Sequence, residues 1–354
     1  MAKTNYNLPA DPAIRRILII KWSAMGDVVI ASAMFEDLRR AFPAAEIDLN
    51  TLPPWDKLFF AEDPRFARIV TIDLRGKDGG WRGVWTWLRT INRRRYDLLV
   101  DLQGNDRSRL LVTLLTLFGR RIPFRIGTQH RFPYNIAPQL GEGEVLSAFA
   151  VNQRALQAGG IATLTPRPCL HVPARNRRRG AELLAKHGAQ PDHFAVFLPG
   201  CHAASKTKRW GAERYAELAR LVLASGVRQI ILVGGKDEKE ECRQIEEFVH
   251  SEQVVNLCGE TELLDLIEVF AQAKFLVGND TGTAHLASCT DRKLLVICGP
   301  TDPRRVKPVG DNVETIQADL DCINCYRKEC SHHSCMVQLT PELVFARVQA
   351  MLAR

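Results

Sequence analysis

Short apolar runs alternate with helix-period segments along the whole chain, and that alternation admits little besides a parallel α/β fold. Residues 16–20 (RILII) read as a buried strand. A loop covers 21–27, and residues 28–41 carry a helical pattern that stops before Pro43. Further strands fall at 46–49, 69–72 and 98–102, with a helix over 81–95 whose Trp81, Val84, Trp85 and Leu88 share one face. After a proline- and arginine-rich stretch at 166–179 the series restarts. Strands are expected at 194–198, 229–233, 254–257, 275–277 and 294–298, helices at 212–224, 238–250 and 263–271, and an amphipathic helix at 341–352. The pattern gives two Rossmann-like domains, residues 1–172 and 173–354, and 354 residues is the length of two ordinary domains.

Composition narrows the class. Apolar residues make up 46% and charged residues 25%, which suits a soluble globular protein and excludes disorder, collagen and coiled coil. No apolar run approaches the ~18 residues that a spanning helix needs, and the longest, at 110–118, is broken by threonines. Residues 1–12 lack the apolar core of a secretory signal, so the expected location is cytoplasmic. The net charge of +8 is uneven. Residues 1–175 hold 25 lysines and arginines against 16 acids, whereas residues 176–354 hold 23 against 24. The first half thus suits an anionic partner, whether nucleic acid, a membrane surface or a phosphorylated substrate, or is simply a basic surface.

Open α/β sheets bind ligands beyond the carboxyl ends of their strands, so the loops there carry the chemistry. Neither half has G-x-G-x-x-G after its first strand, which argues against a dinucleotide-dependent oxidoreductase. The first loop, K-W-S-A-M-G-D at 21–27, ends on Asp27, which is either a helix cap or a carboxylate able to take a proton. The second, P-G-C-H-A-A-S-K-T-K-R-W at 199–210, sets small and hydroxyl residues beside three cations and includes His202. It is a phosphate cradle or a solvated basic loop. The third, G-N-D-T-G-T-A-H at 278–285, opens a short helix whose amides can hold a pyrophosphate, with Asp280 able to accept from sugar hydroxyls. A fourth, G-G-K-D-E at 234–238, offers an acid to a ribose diol.

Six of the ten cysteines sit at strand-like or helix-like positions and read as small buried hydrophobes. Cys322, Cys325, Cys330 and Cys335 are different: four thiols within fourteen residues suit a metal site better than disulfides in a reducing compartment. His332 and His333 are alternative ligands, zinc and iron both suit such a set, and four free thiols are the other reading.

Taken in order, S-A-M-G-D-V, D-L-Q-G at 101–104, P-G…K-R-W, G-G-x-x-E, G-N-D-T-G-T-A-H-L-A and C-G-P-T at 298–301 resemble the bacterial heptosyltransferases, glycosyltransferase family nine, over nearly the whole chain. The resemblance implies a GT-B fold of two Rossmann-like domains facing across a central cleft, the acceptor on the N-terminal domain and the nucleotide-sugar on the C-terminal one. It implies an inverting transfer of heptose from ADP-heptose to the lipopolysaccharide inner core by an enzyme peripheral to the cytoplasmic face of the inner membrane. Matching positions individually, Asp27 falls on the catalytic base, Lys208 on the diphosphate lysine and Glu238 on the ribose acid. Asp280, Thr281, Gly282, Thr283 and His285 fall on the donor loop. Candidates for gripping an anionic glycolipid acceptor are Gln103, Arg107 and Arg131. Lys208 and the 281–283 amides would neutralise the leaving diphosphate, so no cofactor is expected for catalysis, and the cysteine cluster is expected to be structural and remote from the sugar chemistry. The competing readings are a relative using another nucleotide-activated sugar or a protein acceptor, and a nucleic-acid-binding protein. The last is disfavoured because the positive excess lies in the opposite half from the cysteines, and no nucleic-acid partner is expected.

Overall fold

A strand buried on both faces is apolar along its length, and β1 (Arg16–Ile20) follows this rule, with only Arg16 reaching solvent. Around it the computed structural model, which describes residues 6–73, 76, 79–141, 143–201 and 203–354, builds the first of two units, Met1–His171. His202 of the second loop lies outside the described residues. The strands β2 (Glu46–Thr51), β3 (Arg68–Thr71), β4 (Leu98–Asp101) and β5 (Phe124–Ile126) complete a parallel sheet in the order β3-β2-β1-β4-β5. Helices Gly80–Asn92 and Asp106–Phe118 cover one face, where Trp87, Leu88, Ile91, Leu111, Val112 and Leu115 pack with Leu18, Ile20 and Leu99 of the sheet. Helix Met25–Ala41 follows β1 and packs beside helix Ala148–Ala158.

The second unit, Val172–Arg354, repeats the plan with six strands. They are β6 (Phe194–Leu198), β7 (Gln229–Leu232), β8 (Val254–Asn256), β9 (Phe275–Asn279), β10 (Leu294–Cys298) and β11 (Val313–Gln317), all parallel, in the order β11-β10-β9-β6-β7-β8. Helix Ala212–Ala224 buries Tyr215, Leu218, Ala219 and Val222 against Phe197 and Ile230, and the closing helix Pro341–Leu352 packs beside it through Val344, Val348 and Met351. Trp210, fully buried, donates its indole N–H to the Leu339 carbonyl at 2.7 Å and ties the last segment to the start of that helix.

In each sheet the strand that begins the unit lies inside, and the winding reverses beside it, between β1 and β4 in the first unit and between β6 and β9 in the second. Crossovers leave in opposite directions there, so the loops at the carboxyl ends part and leave a crevice. The central strands and most helices fall where the sequence pattern puts them, within a few residues. Two edge strands, β5 and β11, carry no continuous apolar run and escape the pattern, because each is only partly covered. The stretch read as a connecting segment at 166–179 instead runs into helix Ala174–Lys186, whose Asn176, Gly180 and Leu184 are buried. Its run of arginines hid the helical period. Among the described residues no helix is long and apolar enough to cross a membrane.

Candidate active site

In the first unit the loop after β1 is held from below by the loop after β4. Gln103 lends one side-chain oxygen to two backbone amides, Trp22 at 2.9 Å and Ser23 at 3.1 Å. Asp101 in turn fixes Gln103, its Oδ1 accepting from the amides of Gln103 at 2.9 Å and Gly104 at 3.1 Å, while its Oδ2 accepts from the Tyr134 hydroxyl. Gly104 has φ +61°, and a Cβ there would stand 2.3 Å from the Thr128 hydroxyl, so this turn takes glycine alone. Sequence reasoning placed Gln103 on the acceptor; in the fold its side-chain oxygen braces the loop that carries Asp27.

Asp27 stands at the third residue of helix Met25–Ala41, and its Oδ2 accepts from the Ala24 amide at 3.0 Å. Among the described residues Oδ1 makes no hydrogen bond, so one carboxylate both closes the helix start and keeps an oxygen for a proton. Lys21, which the sequence did not single out, is buried beneath it. Its ammonium donates to the Leu102 carbonyl at 3.0 Å, and burial holds it below the ordinary lysine value against the pull of Asp27 and Asp101. Burial likewise pushes the Asp101 carboxyl up, opposed by the hydrogen bonds of Tyr134 and Ser108. Beside this network Gly104, Asp106, Arg109, Thr128, Arg131 and Tyr134 line a cavity of about 310 Å³. Arg131 is one of the residues expected to grip the acceptor. Arg107 is exposed and does not line the cavity, whereas Arg109, half a turn further on, does.

In the second unit Lys208 and Asp280 meet at the reversal between β6 and β9. The ammonium lies 2.6 Å from Asp280 Oδ2, which also accepts from the Thr301 hydroxyl at 2.8 Å. Asp280 is buried, so its charge is stabilised by these two donors rather than by water. Thr281 precedes the short helix Gly282–Ala287, its hydroxyl 3.4 Å from that of Thr283, and His285 lies buried on the same helix. The fourth loop closes against the second. Glu238 accepts from the Gly235 amide at 2.7 Å, and its side chain fills the space over Gly200, where a Cβ would come within 1.7 Å of Glu238 Cγ.

Arg209, unremarked in the sequence except as part of K-R-W, straps these two loops together. Its Nη2 donates to the carbonyls of Cys201 at 3.2 Å and Asp237 at 3.3 Å. Its Nη1 lies 3.5 Å from Glu241, an ion pair too poorly aligned for a hydrogen bond. Burial pushes the Glu241 carboxyl up to about 7, with Arg209 opposing and Glu238 reinforcing the shift.

Cys322, Cys325, Cys330 and Cys335 all line one cavity of about 220 Å³, together with His332 and His333. Cys322 and Cys325 are exposed and Cys335 is buried; burial raises the Cys335 thiol, and the other three cysteines reinforce it. Among the described residues no group of three or more histidine, cysteine or acidic side chains is arranged to hold a metal ion. The sequence reading set this segment apart from the sugar chemistry; in the fold it packs against the second loop. A His333 ring nitrogen stands 2.7 Å from the Thr207 carbonyl, and the Thr207 hydroxyl donates to the Arg327 carbonyl at 2.8 Å, one residue from Lys208.

Each unit thus sets charged side chains at its switch point, a carboxylate on a braced loop in one and a lysine–aspartate pair before a helix start in the other, which suits chemistry on an anionic ligand. The sequence profile of glycosyltransferase family 9 (heptosyltransferase) matches residues 84–336. The chain belongs to glycosyltransferase family 9. This glycosyltransferase is 26% identical over 355 residues to lipooligosaccharide heptosyltransferase 2 of Haemophilus influenzae, a match covering 96% of the chain and 99% of that relative. Among solved structures it resembles the ADP-heptose lipopolysaccharide heptosyltransferase II of E. coli, with TM-score 0.71, 23% identity, and 96% and 98% of the two chains covered. It also resembles a family 9 glycosyl transferase of Veillonella parvula, with TM-score 0.79, 19% identity, and 96% and 97% covered. The α/β architecture of two Rossmann-like units is therefore that of the GT-B glycosyltransferases.

Proposed function

We propose that this family 9 enzyme transfers a heptose from ADP-heptose to the inner core of a lipopolysaccharide, with inversion at the anomeric carbon. The observation that carries the donor half is the Lys208–Asp280–Thr301 cluster at the β6/β9 reversal, beside the Glu238 turn. It offers a cation and a helix start to a diphosphate and an acid to a ribose. The names of the relatives matched over nearly the full chain supply the sugar and the acceptor class.

The chemistry follows from the side chains. An acceptor hydroxyl gives its proton to Asp27 as its oxygen bonds to the anomeric carbon, and the bond from that carbon to the diphosphate breaks. Lys208 turns from Asp280 to the departing diphosphate, with the Thr281–Thr283 amides sharing the negative charge. Arg109 and Arg131 face the cavity beside the Asp27 brace and suit the carboxylates and phosphates of an inner-core acceptor. With a lipid-linked acceptor, the enzyme works at the cytoplasmic face of a membrane. The four cysteines line one cavity, and they are the residues that would supply thiolates to a single structural zinc or iron ion.

The test is turnover of ADP-heptose with defined truncated lipopolysaccharide acceptors, reading ADP release and the anomeric configuration of the product. Transfer with inversion is expected. Release of ADP only from a different nucleotide-sugar, or transfer only to protein, would replace this reading.

A further inference from the structure

Helices Gly80–Asn92 and Asp106–Phe118 lie side by side on one face of the first sheet, each with an apolar face turned inward. Both also carry apolar residues outward. Trp81 and Trp85, one turn apart, are 71% and 52% exposed, and on the second helix Leu110, Leu117 and Phe118 are 54%, 60% and 69% exposed. These positions recur at helical spacing, so they form stripes rather than scattered exceptions. An ordinary surface helix has no reason to be apolar on both sides.

The charge around the stripes is predominantly positive. Residues 80–125 contain ten arginines, no lysine, three aspartates and no glutamate. Arg82, Arg89, Arg93, Arg120 and Arg121 are exposed, and none of them forms an ion pair among the described residues. Asn92 accepts from the Arg120 amide at 2.5 Å, which brings the cationic ends of the two helices together.

We infer that the outward face of these two helices lies on an anionic lipid surface, with Trp81, Trp85, Leu117 and Phe118 entering the headgroup boundary and the arginines resting on lipid phosphates. Indole rings favour that boundary, and arginine stems can lie along apolar surface while their heads stay on the phosphates. A second copy of the chain fits worse: a two-fold contact would set arginine against arginine. This deepens the proposed reading of a lipid-linked acceptor and rests on it for its purpose, but the two can fail separately.

The experiment uses the full chain with vesicles of phosphatidylglycerol and phosphatidylcholine in equal parts, and with phosphatidylcholine alone. The wild type should sediment with the anionic vesicles. The Trp85→Ser, Phe118→Ser double variant should lose at least about tenfold in vesicle affinity, since two large apolar side chains no longer leave water. Its transfer to a lipid-free core oligosaccharide should be unchanged, which shows that it folds. Arg89→Glu with Arg121→Glu should abolish the preference for anionic vesicles. A wild type that ignores both vesicles, or a Trp85→Ser, Phe118→Ser variant that binds as the wild type does, overturns the inference. So does a wild-type dimer that this variant converts to monomer, which would assign the face to a second copy. Vesicle binding without any transfer from ADP-heptose would leave this inference standing and remove the proposed reaction.

Discussion

Asp27 gives one oxygen to the Ala24 amide, and its other oxygen makes no hydrogen bond among the described residues, so the helix cap can also serve as the proposed base. An asparagine in its place would keep the hydrogen bond to the amide, because asparagine caps as well as aspartate, and would lose the ability to take a proton. Asp27→Asn should therefore lower kcat by at least about a hundredfold, within the range of general-base contributions, while ADP affinity by calorimetry stays the same. Substantial residual turnover would return Asp27 to a cap. Glu241 offers a second residue-scale test. Its proton is held more tightly in the fold than in the unfolded chain, where the ordinary value is 4.5. Its contribution to stability is thus fully present below about 4.5 and is lost as pH rises through about 7. Glu241→Gln should flatten the fall in urea stability across that window, by on the order of 3 kcal/mol. A variant with the wild-type slope would show that the carboxyl ionises in the fold as it does in water.

Loops and short segments carry the proposed donor site, and two of them depend on neighbours far along the chain. The Lys208–Asp280 pair joins the loop after β6 to the loop after β9. Lys208→Ala should weaken ADP by about tenfold or more, since a charge-assisted contact to phosphate contributes about 1.5 to 3 kcal/mol. It should also lower the melting temperature, because Asp280 stays buried with Thr301 as its remaining side-chain donor. Unchanged ADP affinity would place the diphosphate elsewhere. The cysteine segment sits against Thr207 through His333 and Arg327, next to that lysine. Protein purified without chelator should contain close to one zinc or iron per chain. Stripping it should lower the melting temperature and loosen ADP, while added magnesium leaves turnover of the intact protein unchanged. Metal-free protein of full stability and full ADP affinity would defeat the assignment. Strand by strand, the sequence pattern was readable wherever a strand is covered on both faces, as in β1, β6 and β10. It failed at β5 and β11, where an edge position relaxes the demand for apolar residues.

At the scale of the whole molecule, local chemistry written along the chain determined the plan. Alternating periods dictate two parallel α/β units, and the rule that ligands bind at the carboxyl ends of such strands points to the loops bearing Asp27, Lys208, Glu238 and Asp280 from sequence alone. The uneven charge likewise made the first unit the expected place for an anionic partner. What each loop touches was settled by tertiary structure alone. Gln103 braces Trp22 from 81 residues away, Lys208 pairs with Asp280 across 72, and His333 reaches Thr207 across 126. Strand order sets those meetings. A pattern that repeats every two or 3.6 residues reports which side of an element is buried, but it does not say which strand lies next to which. Pairings across a switch point arise only when the sheet has wound in both directions from its first strand.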